Sequence, residues 1–228
     1  MNDKLVSDKI ERFWLNSRDI QNSIITGCET FPGEMLNPSS ENMLLPKNMI
    51  DLMVNFYTGT YVMYKFRKPA GELIQGSVMI HILMNQFERC RIGSEVLGSL
   101  MSNRHIKSSY VLANFVTDNG EVDCYPGQVQ YYFKHVVDLP TGPSEHNLAF
   151  IRWYKPVDSA RLRYYFTVDE ICNVELWKPD FYPKSRDCII PVHNILSQFV
   201  PTKYKISTRS NAVEYIAINP INRKLHIR

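Results

Sequence analysis

The chain has 228 residues, 26 basic against 23 acidic side chains and a formal charge of +3. Hydrophobic residues make up 44% and charged residues 21%, which excludes a disordered polymer, a collagen-like repeat and a histone-like polycation. At ~150 residues per domain the length allows one large or two small domains, and an aromatic content of 12% points to a β-rich core or a stacking surface.

In chain order, residues 3–24 place Leu5, Ile10, Phe13, Trp14, Ile20 and Ile24 at mostly helical spacing, with Asp3 able to cap the start. The spacing predicts an amphipathic helix. Residues 27–46 are rich in Gly, Pro and Ser and read as an irregular connector. A second helix fits 47–64, where Met49, Ile50, Met53, Val54, Tyr57 and Tyr61 share a face. From about residue 74 the period shifts toward two. Residues 110–117 and the segment from Val122 to Cys124 flank an Asn119-Gly120 turn and predict a hairpin. Further strands are predicted at 127–137, 147–155, 161–168, 173–177, 187–196 and 213–218, separated by turn chemistry such as Pro126-Gly127 and the stretch 138–146. The expected fold class is α+β: a short helical N-terminal segment, residues 1–75, followed by a mostly antiparallel β barrel or sandwich, residues 76–228.

The N-terminus has no apolar stretch of the secretory type, and no run approaches the 18 apolar residues of a membrane span. The five cysteines are widely spaced, with no CxxC and no glycosylation sequon, since Asn37 is followed by Pro38. Free thiols in a reducing, intracellular setting are expected, with the nucleus one compartment open to the chain and secretion excluded.

Motifs of catalysis are sparse. The run 93–99 resembles a phosphate loop but lacks its lysine, Ser99 and Leu100 standing in its place. Nucleophile elbows, zinc-protease helices and kinase loops are absent. Cys188 and His193 form a C-x4-H pair without a second pair, so no metal and no cofactor are expected. His135 and His146 flank the 138–146 stretch and read as structural or exposed. Asp118, Asp123, Asp169, Glu170 and Asp187 could supply a two-metal nuclease site, but all fall at turns and strand ends.

Charge and aromatic content are uneven. Residues 200–228 carry Lys203, Lys205, Arg209, Arg223, Lys224 and Arg228 against Glu214 alone, a local +5 that leaves −2 on the remainder. Such a segment suits phosphate contacts. Fifteen of the 27 aromatic rings lie within residues 110–182. Adjacent aromatics on a strand point to opposite faces, so one of each pair either leaves the core or enters a second buried surface.

The order of 147-NLAFIRWYKP-156, 173-NVELW-177 and 187-DCIIPVHNILSQFV-200 resembles bromo-adjacent homology (BAH) domains over roughly residues 105–205. That resemblance implies a β-rich, non-catalytic chromatin module, some members of which hold methylated lysine in an aromatic cage. Trp153, Tyr154, Trp177 and Tyr182 are the positions nearest the motifs of that family. The segments 91–115, 126–133 and 219–228 look like uncharacterised fungal proteins derived from CACTA-type transposons, which implies that the chain is a C-terminal piece of such a protein, without its catalytic domain.

The function expected is therefore a non-catalytic, transposon-derived domain that binds DNA or chromatin through the basic C-terminal segment and an aromatic β surface. The alternative is a protein-interaction or assembly domain, with a protein partner or a second copy bound through the helices and no nucleic acid. A residual nuclease ranks below both. No small-molecule substrate is evident from the sequence.

Overall fold

The computed structural model describes residues 25–31, 33–71, 74–116, 122–166, 174–207 and 212–221. The helix expected at 3–24 lies outside them. Among the described residues twelve strands occur in chain order, with two α-helices between them. These are β1 (Gly33–Leu44), α1 (Lys47–Thr60), β2 (Lys65–Arg67), β3 (Ser77–Met79), β4 (Leu83–Ile92), β5 (Glu95–Leu97), β6 (Tyr110–Val116), β7 (Val122–Leu139), β8 (Gly142–Pro156), α2 (Ala160–Arg163), β9 (Glu175–Phe181), β10 (Ile189–Pro191), β11 (Ile195–Ser207) and β12 (Ala212–Pro220). Apart from the small parallel pair β2–β3, all pairings are antiparallel.

The longest pairing is the β7–β8 hairpin, in register from Gly127↔Trp153 to Leu139↔Gly142 with one shift between Val129 and Tyr131. Pro140 and Thr141 alone make its turn, and Gly142 leaves it at φ 121°, a value closed to residues with a Cβ. The polar stretch 138–146, expected as a loop, is therefore the exposed end of the two strands. The main sheet follows the order β1-β4-β7-β6-β11-β12-β9-β8-β10, and the extra β7–β8 pairing closes six of these strands into a ring. Leu112, Cys124, Tyr154, Trp177, Phe199, Ile216 and Ile218 come from all six ring strands and pack into one cluster. A larger core lies under α1, where Met49, Met53, Phe56 and Tyr57 meet Met84 and Cys90 of β4, Tyr132 and Phe133 of β7, Leu148 and Ile151 of β8 and Ile189 of β10. The helix at 47–60 and strands β4, β7, β8 and β10 thus contribute to one hydrophobic cluster.

Three expectations are corrected. The connector at 27–46 is largely strand: β1 pairs along β4 with register shifts between Pro38 and Ser40 and between Ser40 and Met43. It tolerates Pro38 because it is an edge strand. The strand expected at 161–168 begins instead as α2, where the Ser159 hydroxyl accepts the Leu162 N–H and caps the turn. The strand expected at 187–196 is broken into β10 between two 3-10 turns, with β11 starting at Ile195. The run 93–99 is the β4–β5 hairpin, turning at Gly93 with φ 58°, and no helix follows it to bind phosphate.

Gly127 has a steric role. A Cβ at this position would lie 2.5 Å from the Trp153 ring and 2.6 Å from Ile151, and Trp153 is held in place by its indole N–H, which donates to the Asp187 carbonyl at 2.7 Å. Gly127→Ala is expected to cost about 1–3 kcal/mol in chemical denaturation, whereas alanine at the uncrowded, exposed Val122 should change stability by about 0.5 kcal/mol or less.

Candidate nucleic-acid interface

Of the four aromatic side chains singled out by sequence, three are interior. Trp153, Tyr154 and Trp177 keep only 4%, 6% and 0% of their surfaces exposed. The reason lies in β8, both of whose faces are covered: Tyr154 enters the ring cluster and Trp153 the larger core. The second buried surface that an adjacent pair of rings requires is thus present. Trp153 meets Phe115 edge-on at 4.9 Å, and Tyr154 lies 4.5 Å from Phe181. These rings are packing residues, and the expected aromatic ligand surface reduces to Tyr182, which is 40% exposed. Its backbone is fixed by the Tyr182 N–H donating to Trp153 O and by the Arg152 guanidinium donating to Tyr182 O.

Trp177 packs in the ring cluster and lies beside Arg163. The guanidinium stacks 4.7 Å from the indole, donates to both carboxylate oxygens of Asp123 at 2.9 and 3.0 Å and donates to Glu175 at 2.7 Å. The indole N–H donates to the same Glu175 oxygen. Hydrogen bonds from Arg163 hold the Asp123 carboxyl below its ordinary range against the opposing effect of burial. Asp123 is thereby committed to an ion pair, and Asp187 accepts from Ser185 and Arg186. Asp118, Asp169 and Glu170 lie outside the described residues. Among the described residues no three His, Cys, Asp or Glu side chains gather in a way that could hold a metal ion. Cys28, Cys90, Cys124 and Cys188 are free thiols, and both ring nitrogens of His193 are buried without a hydrogen-bond partner.

Of the basic side chains, Lys203 and Lys205 are described; Arg209, Arg223, Lys224 and Arg228 are not. β11 and β12 are paired from Phe199↔Pro220 to Ser207↔Ala212. β11 pairs with β6 only through Ile195–Gln198, and β12 pairs with β9 only through Ile216–Ile218. From Tyr204↔Tyr215 outward the two strands therefore pair only with each other, as a two-stranded ribbon leaving the ring. Lys205 lies on this ribbon and Lys203 at its base, opposite Ile216, two residues apart and so on one face of β11. Their side chains are 77% and 68% exposed, and both reach the single carboxylate of Glu214, at 3.3 and 3.9 Å. On the opposite face Tyr204 packs on Phe166 at 4.9 Å and on Tyr165 at 6.0 Å.

Sequence reasoning missed a buried polar chain between α1 and the hairpin. His135 and His146, 1% and 0% exposed, face each other across β7 and β8. His135 Nε2 lies 2.9 Å from the His81 carbonyl, which can only accept, so Nε2 carries the proton and Nδ1 accepts from the Tyr57 hydroxyl at 2.8 Å. With that hydroxyl proton used, His146 Nδ1–H donates to Tyr57 at 3.4 Å, and His146 Nε2 accepts from the Tyr61 hydroxyl at 2.7 Å. The Tyr61 hydroxyl also points to Cys28 Sγ at 3.9 Å. The readable signals were the i, i+4 spacing of the two tyrosines and the equal distance of the two histidines from the Pro140-Thr141 turn. The arrangement ties α1 to the sheet with two neutral imidazoles.

No protein-family model, no curated protein and no solved structure matches this chain.

Burial pushes the His135 imidazole down to about 4 and also lowers that of His146. In the unfolded chain a histidine titrates near ~6.5, so between pH 6.5 and 4 the unfolded state binds protons that the folded state refuses. Stability therefore falls with pH across that window, by about 3 kcal/mol for His135 alone. Unfolding free energies measured from pH 7.5 to 4 should show this loss, while the His135 ring resonance stays in its neutral position down to about pH 5. A ring that protonates near its ordinary value would contradict the assignment.

Proposed function

We propose that this chain is a non-catalytic module that binds nucleic acid, in a chromatin setting, by contacting phosphates through the β11–β12 ribbon. The observation that carries this reading is the pair Lys203 and Lys205 on one exposed face of β11, at the base of the ribbon and on it. A lone Glu214 between two ammonium groups leaves a net positive face. The ribbon continues the +5 segment, which adds Arg209, Arg223, Lys224 and Arg228 in sequence. A two-stranded ribbon is narrow enough to enter a major groove of ~12 Å, and exposed lysines are point charges suited to phosphates, positioning the protein without reading bases. The resemblance to BAH domains and to CACTA-transposon-derived fungal proteins supports the chromatin setting and the origin. The aromatic contribution is confined to Tyr182.

Fluorescence anisotropy with a labelled duplex at 50–300 mM KCl tests this directly. Affinity should fall steeply with salt, and the double variant Lys203→Ala/Lys205→Ala should lower the log–log slope by about 1.8, two phosphate contacts at ~0.9 each. Absence of binding at 50 mM KCl, or an unchanged slope in the variant, would overturn the assignment.

A further inference from the structure

A cleft of about 300 Å³ opens on another part of the surface, between β1, β4 and the turn that follows β5. None of its residues belongs to β11 or β12. Glu88 and Arg89 of β4 form one wall, Asn37 of β1 another, and residues 102–105 the third.

Two arginines line this cleft. Arg89 is half-buried, yet among the described residues it makes no ion pair. Its guanidinium Nη1 lies 3.2 Å from His105 Nε2. A guanidinium can only donate, so that nitrogen of His105 is the accepting, unprotonated one, and the imidazole leaves the positive charge of Arg89 unbalanced. Arg104, from the turn, is exposed and also lacks a carboxylate partner among the described residues. Arg163, by contrast, has two carboxylates, whereas Arg67 and Arg152, also half-buried, share with Arg89 the lack of an ion pair among the described residues. In the turn, Ser102 O accepts the His105 N–H, while Ser102 itself is 2% exposed. Asn37 is held at φ 53°, a left-handed value that asparagine tolerates better than most side chains.

Two arginine forks without carboxylates, amide side chains and a serine around one small cleft match a tetrahedral oxyanion. The volume sits at the lower end of small-molecule sites, ~300–1,000 Å³. We infer that this cleft binds the phosphate of a small phosphate ester, Arg89 and Arg104 holding the phosphoryl oxygens. The same phosphoryl chemistry could be presented by a free nucleotide or by the terminal phosphate of a nucleic-acid strand.

The test is isothermal calorimetry on the full chain at low ionic strength, with adenosine 5′-monophosphate, inorganic phosphate, adenosine, and a short single strand with and without a 5′-phosphate as probes. Adenosine monophosphate should bind saturably and more tightly than inorganic phosphate, and adenosine should not bind. A preference for the 5′-phosphorylated strand over the monophosphate would identify a strand end as the source, and the reverse preference a free nucleotide. Arg89→Gln and Arg104→Gln should each weaken binding of the better probe about tenfold or more. Because Arg104 is exposed, its variant keeps the fold even if the Arg89 variant does not. Lys203→Ala/Lys205→Ala should leave this binding unchanged while weakening duplex binding, so the cleft and the ribbon can fail separately. No saturable binding of any phosphorylated probe, or binding undiminished in Arg104→Gln, would overturn the inference.

Discussion

The β7–β8 hairpin is the constraint on which the other elements depend. β7 gives the first part of one edge to β6, from Val122 to Gln128, and the later part to β4, from Tyr132 to Lys134. β8 likewise serves β10 along Leu148–Phe150 and β9 from Tyr154. One hairpin therefore belongs to both the closed ring and the outlying sheet that carries α1. The register shift between Val129 and Tyr131 falls where β7 passes from one neighbour to the other, as expected of a bulge that bends a strand at a sheet corner. With both faces of β8 covered, its aromatic residues Phe150, Trp153 and Tyr154 become core.

Several polar groups trapped by this arrangement are matched locally, although the His193 ring is not. The Trp153 indole finds a carbonyl, the Trp177 indole a carboxylate, and Arg163 two carboxylates and a ring face. A neutral hydrogen bond contributes only ~1 kcal/mol net, but removing one partner leaves the other buried and unsatisfied at a cost of ~1–3 kcal/mol. The Tyr57–His135–His146–Tyr61 chain obeys the same rule, and it fixes the position of α1 on the sheet more specifically than Met49 and Met53 could. Surface pairs such as Lys134 with Glu145 contribute little by comparison.

Some of this was legible in the sequence. The 3.6-residue period of Met49, Met53 and Tyr57 marked α1, and β-formers on either side of Asn119-Gly120 marked the β6–β7 hairpin, whose paired ends Val116 and Val122 are in register. β1 was hidden because its Pro, Ser and Asn residues mark loops unless the strand is an edge, and here Asn37 and Asn42 take left-handed values within it. The aromatic run at 164–166 looked like a strand, but the Ser159 cap and the ion pairs of Arg163 turn the chain one step earlier. The lysines of the ribbon were visible as charge, whereas their common face depended on where β11 leaves the ring. Asn37 joins Arg89 and Arg104 only through tertiary structure, from about 50–70 residues away in sequence.

Native-state hydrogen exchange tests the central role of the hairpin most directly. Amides of β7 and β8 around Val129, Phe133, Leu148 and Ile151 should exchange only through global unfolding, while those of the ribbon from Tyr204 to Ser207 should open at much lower free energy. Hairpin amides that exchange through a local opening, at a free energy below that of the ribbon, would contradict the account.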